Sequence, residues 1–433
     1  MDASDANDRP RSRARRDLIA GAAGAMGAAA LATIPALGRA QQAKGAAAGA
    51  PVAAGPPPLT AVPADPTRVL GTPTSAVGSR SPFVRPTRLP TGDLQGYSLT
   101  PHGSLAGTIT PADLHFERHH AGVPLIDPAR HSLTVHGLVA RELVFTMADL
   151  ARMPQVTRTY FLECSGNGRA AFRDPKPDLS AQRVIGLMSN TEWTGVPLHA
   201  LLEECGIKGD ATWMLAEGSD ACMLTRSIPV SKAMDDALLV WAQNGEPLRP
   251  EQGFPLRLLL PGWEGNTNVK WLRRLELGTA PWMTRWETSK YTDPLLGNKA
   301  RQFSFEMDAK SMITSPSVPD VLTTGWRPVS GLAWSGRGRI TRVEVSVDGG
   351  ASWQETTLHE PVLSKAVTRF SWMWHWQGEA ALMLSRATDE TGYVQPTRAE
   401  LVAARGPGTD YHFNQIVGWQ LGADGTMTYH GGH

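Results

Sequence analysis

The residues with the strongest chemical character sit in one short stretch, Leu162-Glu163-Cys164-Ser165-Gly166-Asn167-Gly168-Arg169. Here a cysteine directly follows an apolar, strand-like run starting at Val156, and a Gly-rich turn leads to an arginine five positions on. A thiolate at a strand end is a soft ligand suited to metals that prefer sulfur. Small residues beside it let a bulky group approach the backbone. The competing reading is a buried cysteine before an ordinary turn, because isolated cysteines mostly behave as small core residues. Only two other cysteines occur, Cys205 and Cys222. So few exclude a disulfide-built scaffold, and they leave Cys205 and Cys222 open to pairing or to remaining separate thiols. There is no C-x-x-C-H motif for covalent haem attachment.

The elements that must position this stretch are legible from periodicity. A chain of 433 residues is long enough for two folded domains. Its 41% hydrophobic and 19% charged residues are those of a globular protein. A formal net charge of +1 gives no electrostatic case for nucleic acid as a partner. Residues 1–40 read as a targeting segment: Arg11, Arg13, Arg15 and Arg16 precede a Gly/Ala-rich apolar run, Leu18 to Leu37, and small residues follow. Arg15-Arg16 resembles a twin-arginine export signal, which implies a periplasmic protein. No membrane span is expected once the signal is removed. Residues 41–95, rich in Ala and Pro, read as a linker or an arm lying over a partner.

Residues 96–304 mix strands and helices without regular alternation, so an α+β domain is expected. Ser132–Leu138, Val156–Leu162 and Phe254–Leu260 read as strands. Thr146 and Asp149 mark a helix start, Leu198–Cys205 is an amphipathic helix stopped by Gly206, and Ser231–Asp235 is another short helix. Residues 305–433 read as all-β. Arg339–Val347 alternates with period two before the turn residues Asp348-Gly349-Gly350, and Phe370, Trp372, Trp374 and Trp376 fall on one strand face. Those four aromatics are expected to pack a core or a subunit interface. A β-sandwich of the immunoglobulin type fits.

Further segments carry a family resemblance. Phe116-Glu117-Arg118-His119-His120, Glu217-Gly218-Ser219-Asp220, Asn244-Gly245-Glu246-Pro247-Leu248, Gln252 to Arg257, Pro261 to Asn266 and Asn268-Val269-Lys270-Trp271-Leu272 follow the cysteine octamer's pattern in order and spacing. From about residue 113 to 420 the chain resembles the sulfite oxidase family. The resemblance implies a molybdopterin domain followed by a dimerisation domain, with one molybdenum–molybdopterin per chain and no haem on this chain. It makes Cys164 the metal ligand. It places Phe116, Arg118, His119, His120, Asp220, Gln252, Arg257, Asn268, Val269 and Lys270 around the cofactor, with His119 where the family has asparagine. Arg257 and Lys270 suit the anionic phosphate tail. Arg118, Arg169 and Tyr291 are the implied catalytic residues beside Cys164.

Two departures bear on the substrate. Asn414 stands where family sulfite oxidases carry an arginine, and Tyr291 lies outside the usual D-Y-K context. Together with Arg386 to Pro396 and Trp263 to Asn266, they resemble the branch that oxidises sulfane sulfur on a carrier protein. That branch implies a c-type cytochrome subunit as electron acceptor and a homodimer within a heterotetramer. Free sulfite is the alternative substrate, and a cofactor-free exported binding protein is the alternative of a different class.

Overall fold

The strand Val156–Glu163 that leads into Cys164 becomes more buried along its length, ending with Phe161, Leu162 and Glu163 in the interior. In this computed structural model, which describes residues 70–295 and 297–432, it pairs antiparallel with Met188–Pro197 from Val156↔Gly195 to Glu163↔Met188. Met188–Pro197 pairs with Leu238–Gln243, which also takes Arg257–Leu259 as a partner. One sheet therefore delivers both Cys164 and Arg257.

A second sheet runs in the order Leu143–Thr146, Ser132–Gly137, Leu272–Gly278, Trp213–Gly218, Thr225–Pro229. It is mixed, because Leu272–Gly278 lies parallel to Ser132–Gly137 and antiparallel to Trp213–Gly218. The apolar faces close around Leu133, Val135, Met214, Leu239, Leu258 and Leu275. The helix Leu198–Cys205 adds Leu198, Leu201, Leu202 and Cys205 to the interior, the spacing that puts one helical stripe on a core. It ends at Gly206, whose φ of 70° is left-handed. At Thr146 the expected cap forms in full: Thr146 Oγ1 accepts from the Asp149 N–H, and the Asp149 carboxylate accepts from the Thr146 N–H. All three cysteines are free, so Cys205 and Cys222 are separate thiols.

The second domain is a β-sandwich of two antiparallel sheets. One runs Lys310–Ser315, Gly325–Trp334, Thr368–Trp376, Thr357–His359; the other runs Gln354–Glu355, Ile340–Ser346, Ala381–Asp389, Gly418–Leu421, Met427–His430. The aromatic repeat turns inward, with Phe370, Trp374 and Trp376 buried and Trp372 packed against the same core. Each large side chain so buried contributes roughly 1.5–3 kcal/mol. Two expectations are corrected. The region is not all-β, because Arg398–Arg405 is a helix capped by Thr397 and Glu400. The strand expected over Phe254–Leu260 is only Arg257–Leu259.

The sandwich core does not stop at the domain boundary. Phe161, Val184, Ile185 and Met188 of the first domain belong to the same apolar cluster as Met312, Trp334, Val343 and Phe370. Residues Ser79–His433 form one compact unit. From Ser79 on, the expected arm is part of this unit: Arg88 lies 3.4 Å from Glu117 and 3.5 Å from Glu251, and Leu89–Pro90 pairs with Tyr97–Leu99. The expected signal segment lies outside the described residues, as does the arm up to residue 69. Among the described residues no helix is long and apolar enough to cross a membrane.

Candidate active site

Two clefts share Cys164, Arg118, His120 and Tyr291 as a common wall. The inner one, about 650 Å³, is further lined by Phe116, Glu117, His119, Leu162, Asp220, Leu224, Gln252, Arg257, Gly265, Asn266, Asn268, Lys270 and Trp271. The outer one, about 1460 Å³, is cationic, with Arg169, Arg173, Arg183, Arg285 and Lys290 among its walls. Eleven residues named from sequence thus meet at the inner cleft. Arg169 belongs to the outer cleft alone. Val269 is the exception: its side chain is buried in the apolar core of the first domain and lines neither cleft.

Cys164 sits at the strand end, where its N–H donates to Leu187 O and its carbonyl accepts from the Asn167 N–H. Gly168 follows with φ 94°, and a Cβ there would stand 3.1 Å from the Phe413 Cβ, so the turn requires glycine. Burial pushes the Cys164 thiol up, offset in part by the Gly166 N–H and the guanidinium groups of Arg118 and Arg169. A soft metal would replace that proton. Among the described residues no group of three or more His, Cys, Asp and Glu side chains gathers to hold a metal ion.

The polar wall of the inner cleft is tightly wired. Lys270 Nζ donates to the carbonyls of Arg118 and Glu251 at 3.0 Å and to His119 Nδ1 at 2.8 Å. His119 Nε2 lies 2.7 Å from Glu117 Oε2. Arg257 donates to the carbonyls of Gln252 and Asn268, and Gln252 donates to Phe116 O. Gly253, with φ 108°, lets Arg257 and Lys270 lie together, because a Cβ there would meet both side chains at 3.1 Å. Asp220 accepts from Cys222 Sγ and the Leu224 N–H. Asn268 is spent on the fold: its amide donates to Glu264 O and its carbonyl accepts from the Leu260 N–H.

Burial, with Arg257 nearby, pushes Lys270 down to about 7, and burial pushes Arg257 down to about 9. The Arg257 Nε is buried without a partner. Two crowded cations and an unused donor on one cleft wall are what an anionic group would satisfy. The donor set therefore fits a phosphate-bearing pterin, with Cys164 free to hold its metal.

At the seam of the clefts, burial and the cations Arg118 and Lys270 push His120 down to about 3. Burial also raises Tyr291 strongly, with the Cys164 sulfur adding to the effect. The phenol therefore keeps its proton and donates to the Nε2 of a neutral His120 at 2.6 Å. Arg169 is aimed by Asp410 O, at 2.9 and 2.7 Å, and lies 5.0 Å over the Tyr411 ring. Tyr291 and His412 both take left-handed backbone, φ 54° and 62°, an arrangement that clusters at functional sites.

Asn414 is a correction. It is buried, donates to Ala309 O at 3.1 Å and Tyr393 Oη at 3.2 Å, and lines neither cleft at Cys164. Sequence reading missed Glu117, Asn266 and Trp271 on the inner wall and Tyr411 on the outer one. Glu117, Asn266 and Trp271 lie in segments already marked by resemblance, so their neighbourhood was the available signal. It also missed the buried Arg226, which stands 3.7 Å from both Glu264 and Glu287 and 5.3 Å over the Tyr291 ring.

Residues 120–286 match the family description "Oxidoreductase molybdopterin binding domain", and residues 301–418 match "Mo-co oxidoreductase dimerisation domain". A chain of the sulfane dehydrogenase SoxCD crystal structure from Paracoccus pantotrophus is 44% identical, with a TM-score of 0.80, covering 84% of this chain and 96% of that one. Mouse mitochondrial sulfite oxidase is 31% identical over 317 residues, 67% of this chain and 58% of the mouse protein. The NADH nitrate reductase of Solanum lycopersicum is 34% identical over 335 residues, 67% of this chain and 36% of that enzyme. The chain thus spans less than two thirds of the length of these curated relatives. The chain belongs to the sulfite oxidase family of molybdopterin oxidoreductases. Its fold is that family's molybdopterin-binding domain followed by the dimerisation domain.

Proposed function

We propose that this protein is an exported molybdenum enzyme that oxidises sulfane sulfur bound to a carrier protein and passes the electrons to a c-type cytochrome subunit. The observation that carries the reading is the seam itself: Cys164, Arg118, His120 and Tyr291 join an inner cleft with an anion-ready wall to a larger cationic outer cleft. Cys164 would hold the metal. Phe116, His119, Asp220 and Gln252 would line the pterin slot, with Arg257 and Lys270 on its phosphate. When bound, the group supplies a two-electron centre for oxygen transfer to sulfur. Arg118 and Arg169 supply positive charge where oxyanion character develops on the substrate. Tyr291, kept protonated and tied to His120, orients the substrate from the wall the two clefts share.

The breadth of the outer cleft supports a substrate larger than a free oxyanion, and the similarity to a sulfane dehydrogenase supports the same choice. The assembly that follows is a homodimer through the second domain, carrying two cytochromes, in the periplasm. Elemental analysis of purified protein tests the metal, with about one molybdenum per chain expected. Cytochrome c reduction is then compared with sulfite and with a sulfane-loaded carrier. Turnover of free sulfite alone would replace the sulfane reading, and absence of molybdenum would end the enzyme assignment.

A further inference from the structure

The residue before Cys164 is held from the second domain. Glu163 is almost wholly buried. Its Oε2 accepts from the Trp334 indole N–H at 2.7 Å, and its Oε1 accepts from Asn167 Nδ2 at 2.8 Å and Lys310 Nζ at 3.2 Å. Lys310 and Trp334 are facing residues on adjacent strands of the sandwich, and Lys310 Nζ stands 5.7 Å over the Trp334 ring. Lys310 also donates to Asn167 O, within the turn whose Asn167 N–H bonds back to Cys164 O. A fourth strap comes from His412, whose N–H donates to Ser165 O at 2.8 Å.

A buried carboxylate with three donors on it is fixed in place, because losing any one leaves a desolvated group unpaired. We infer that Lys310 and Trp334 are positioning residues for the Cys164 sulfur, acting through Glu163 and the 164–168 turn. The second domain then has a role in each chain separate from any role in dimerisation: it sets where the sulfur ligand stands. This rests on the reading of Cys164 as the metal ligand, although the strap itself is a property of the bare chain.

The test uses full-length Trp334→Phe, which keeps an aromatic ring but removes the fused five-membered ring with its N–H, and Lys310→Met, which keeps most of the length and removes the charge. Lys310→Arg serves as the rescue. In protein expressed without the cofactor, site-resolved mass spectrometry follows alkylation of Cys164 by iodoacetamide, with Cys222 as internal reference. Alkylation of Cys164 is expected to rise about tenfold in the first two variants and to return toward wild type in Lys310→Arg. In cofactor-loaded protein, the sulfur-to-metal charge-transfer band should shift and kcat should fall about tenfold at unchanged KM. If Lys310→Met fails to fold, Trp334→Phe carries the test alone. Unchanged Cys164 alkylation in folded variants overturns the inference whatever the metal content. Wild-type protein devoid of molybdenum overturns the metal reading instead.

Discussion

Lys270 donates to the Nδ1 of His119, and this one bond sets the state of the histidine. A ring nitrogen that accepts from an ammonium carries no proton, so Nε2 holds it and donates to Glu117. Burial favours the same neutral form, since it lowers the affinity of His119 for a second proton. A neutral histidine offers one acceptor and one donor on opposite edges, the pairing an asparagine side chain also offers. Where the resemblance implies an asparagine, His119 therefore supplies the same polarity to that wall.

Lys270→Met should leave the Nδ1 of His119 without its donor and Arg257 without its cationic neighbour. A charged hydrogen bond to a buried anion contributes roughly 1.5–3 kcal/mol, or about ten- to hundredfold in affinity. Pterin retained after dilution and gel filtration, measured by fluorescence after oxidation, should fall accordingly. Retention equal to wild type would remove Lys270 from the phosphate site.

Cys164→Ser should give folded protein with little or no bound molybdenum and no turnover. A hydroxyl is a harder ligand with a far higher pKa than a thiol. Circular dichroism checks the fold and elemental analysis the metal; wild-type turnover in this variant would refute the thiolate ligand.

Asn414→Arg should not raise affinity for sulfite. The buried asparagine bridges Ala309 O and Tyr393 Oη, and a longer charged side chain there overpacks the second domain by about 1–3 kcal/mol. A lower melting temperature with unchanged sulfite KM is expected. A fall in KM would return this position to the pocket.

His102 predicts an acid limit on stability. It is buried with Nε2 on Met188 O, and burial pushes it down to about 4. Below the unfolded value of about 6.5 the unfolded chain takes up a proton that the folded chain refuses until about pH 4. Its contribution is therefore complete above about pH 6.5 and is lost between about 6.5 and 4, amounting to roughly 3 kcal/mol. His102→Gln should flatten the fall in melting temperature over that range; a slope identical to wild type would exclude His102 as its cause.

What the sequence made readable was local. Thr146 with Asp149, Leu198 to Gly206, and the Val156 run with its glycine turn each carry their signal within a few residues. Arg398–Arg405 carried one too, since Thr397 and Glu400 have the spacing of a capping box, but the β pattern around it hid the helix. The grouping of Phe116 through Lys270 was accessible only by resemblance, because those residues lie on strands and loops far apart in the chain. Val269 shows the limit: it flanks the cleft residues Asn268 and Lys270, yet in the bend ahead of Leu272–Gly278 its side chain falls into the core. Arg226 over Tyr291 and Asn414 against Tyr393 depend on long-range packing that no pattern of spacing encodes.

The apolar cluster that joins Phe161 and Met188 to Trp334 and Phe370 makes the boundary between the domains a seam in description only. Neither half can melt without uncovering the interior of the other, so calorimetry on residues 79–433 should register one cooperative transition. A protein cut at residue 305 would expose a sticky face in place of a surface. Deleting the sandwich therefore calls for polar replacements at Phe161, Val184, Ile185 and Met188, the residues beneath it.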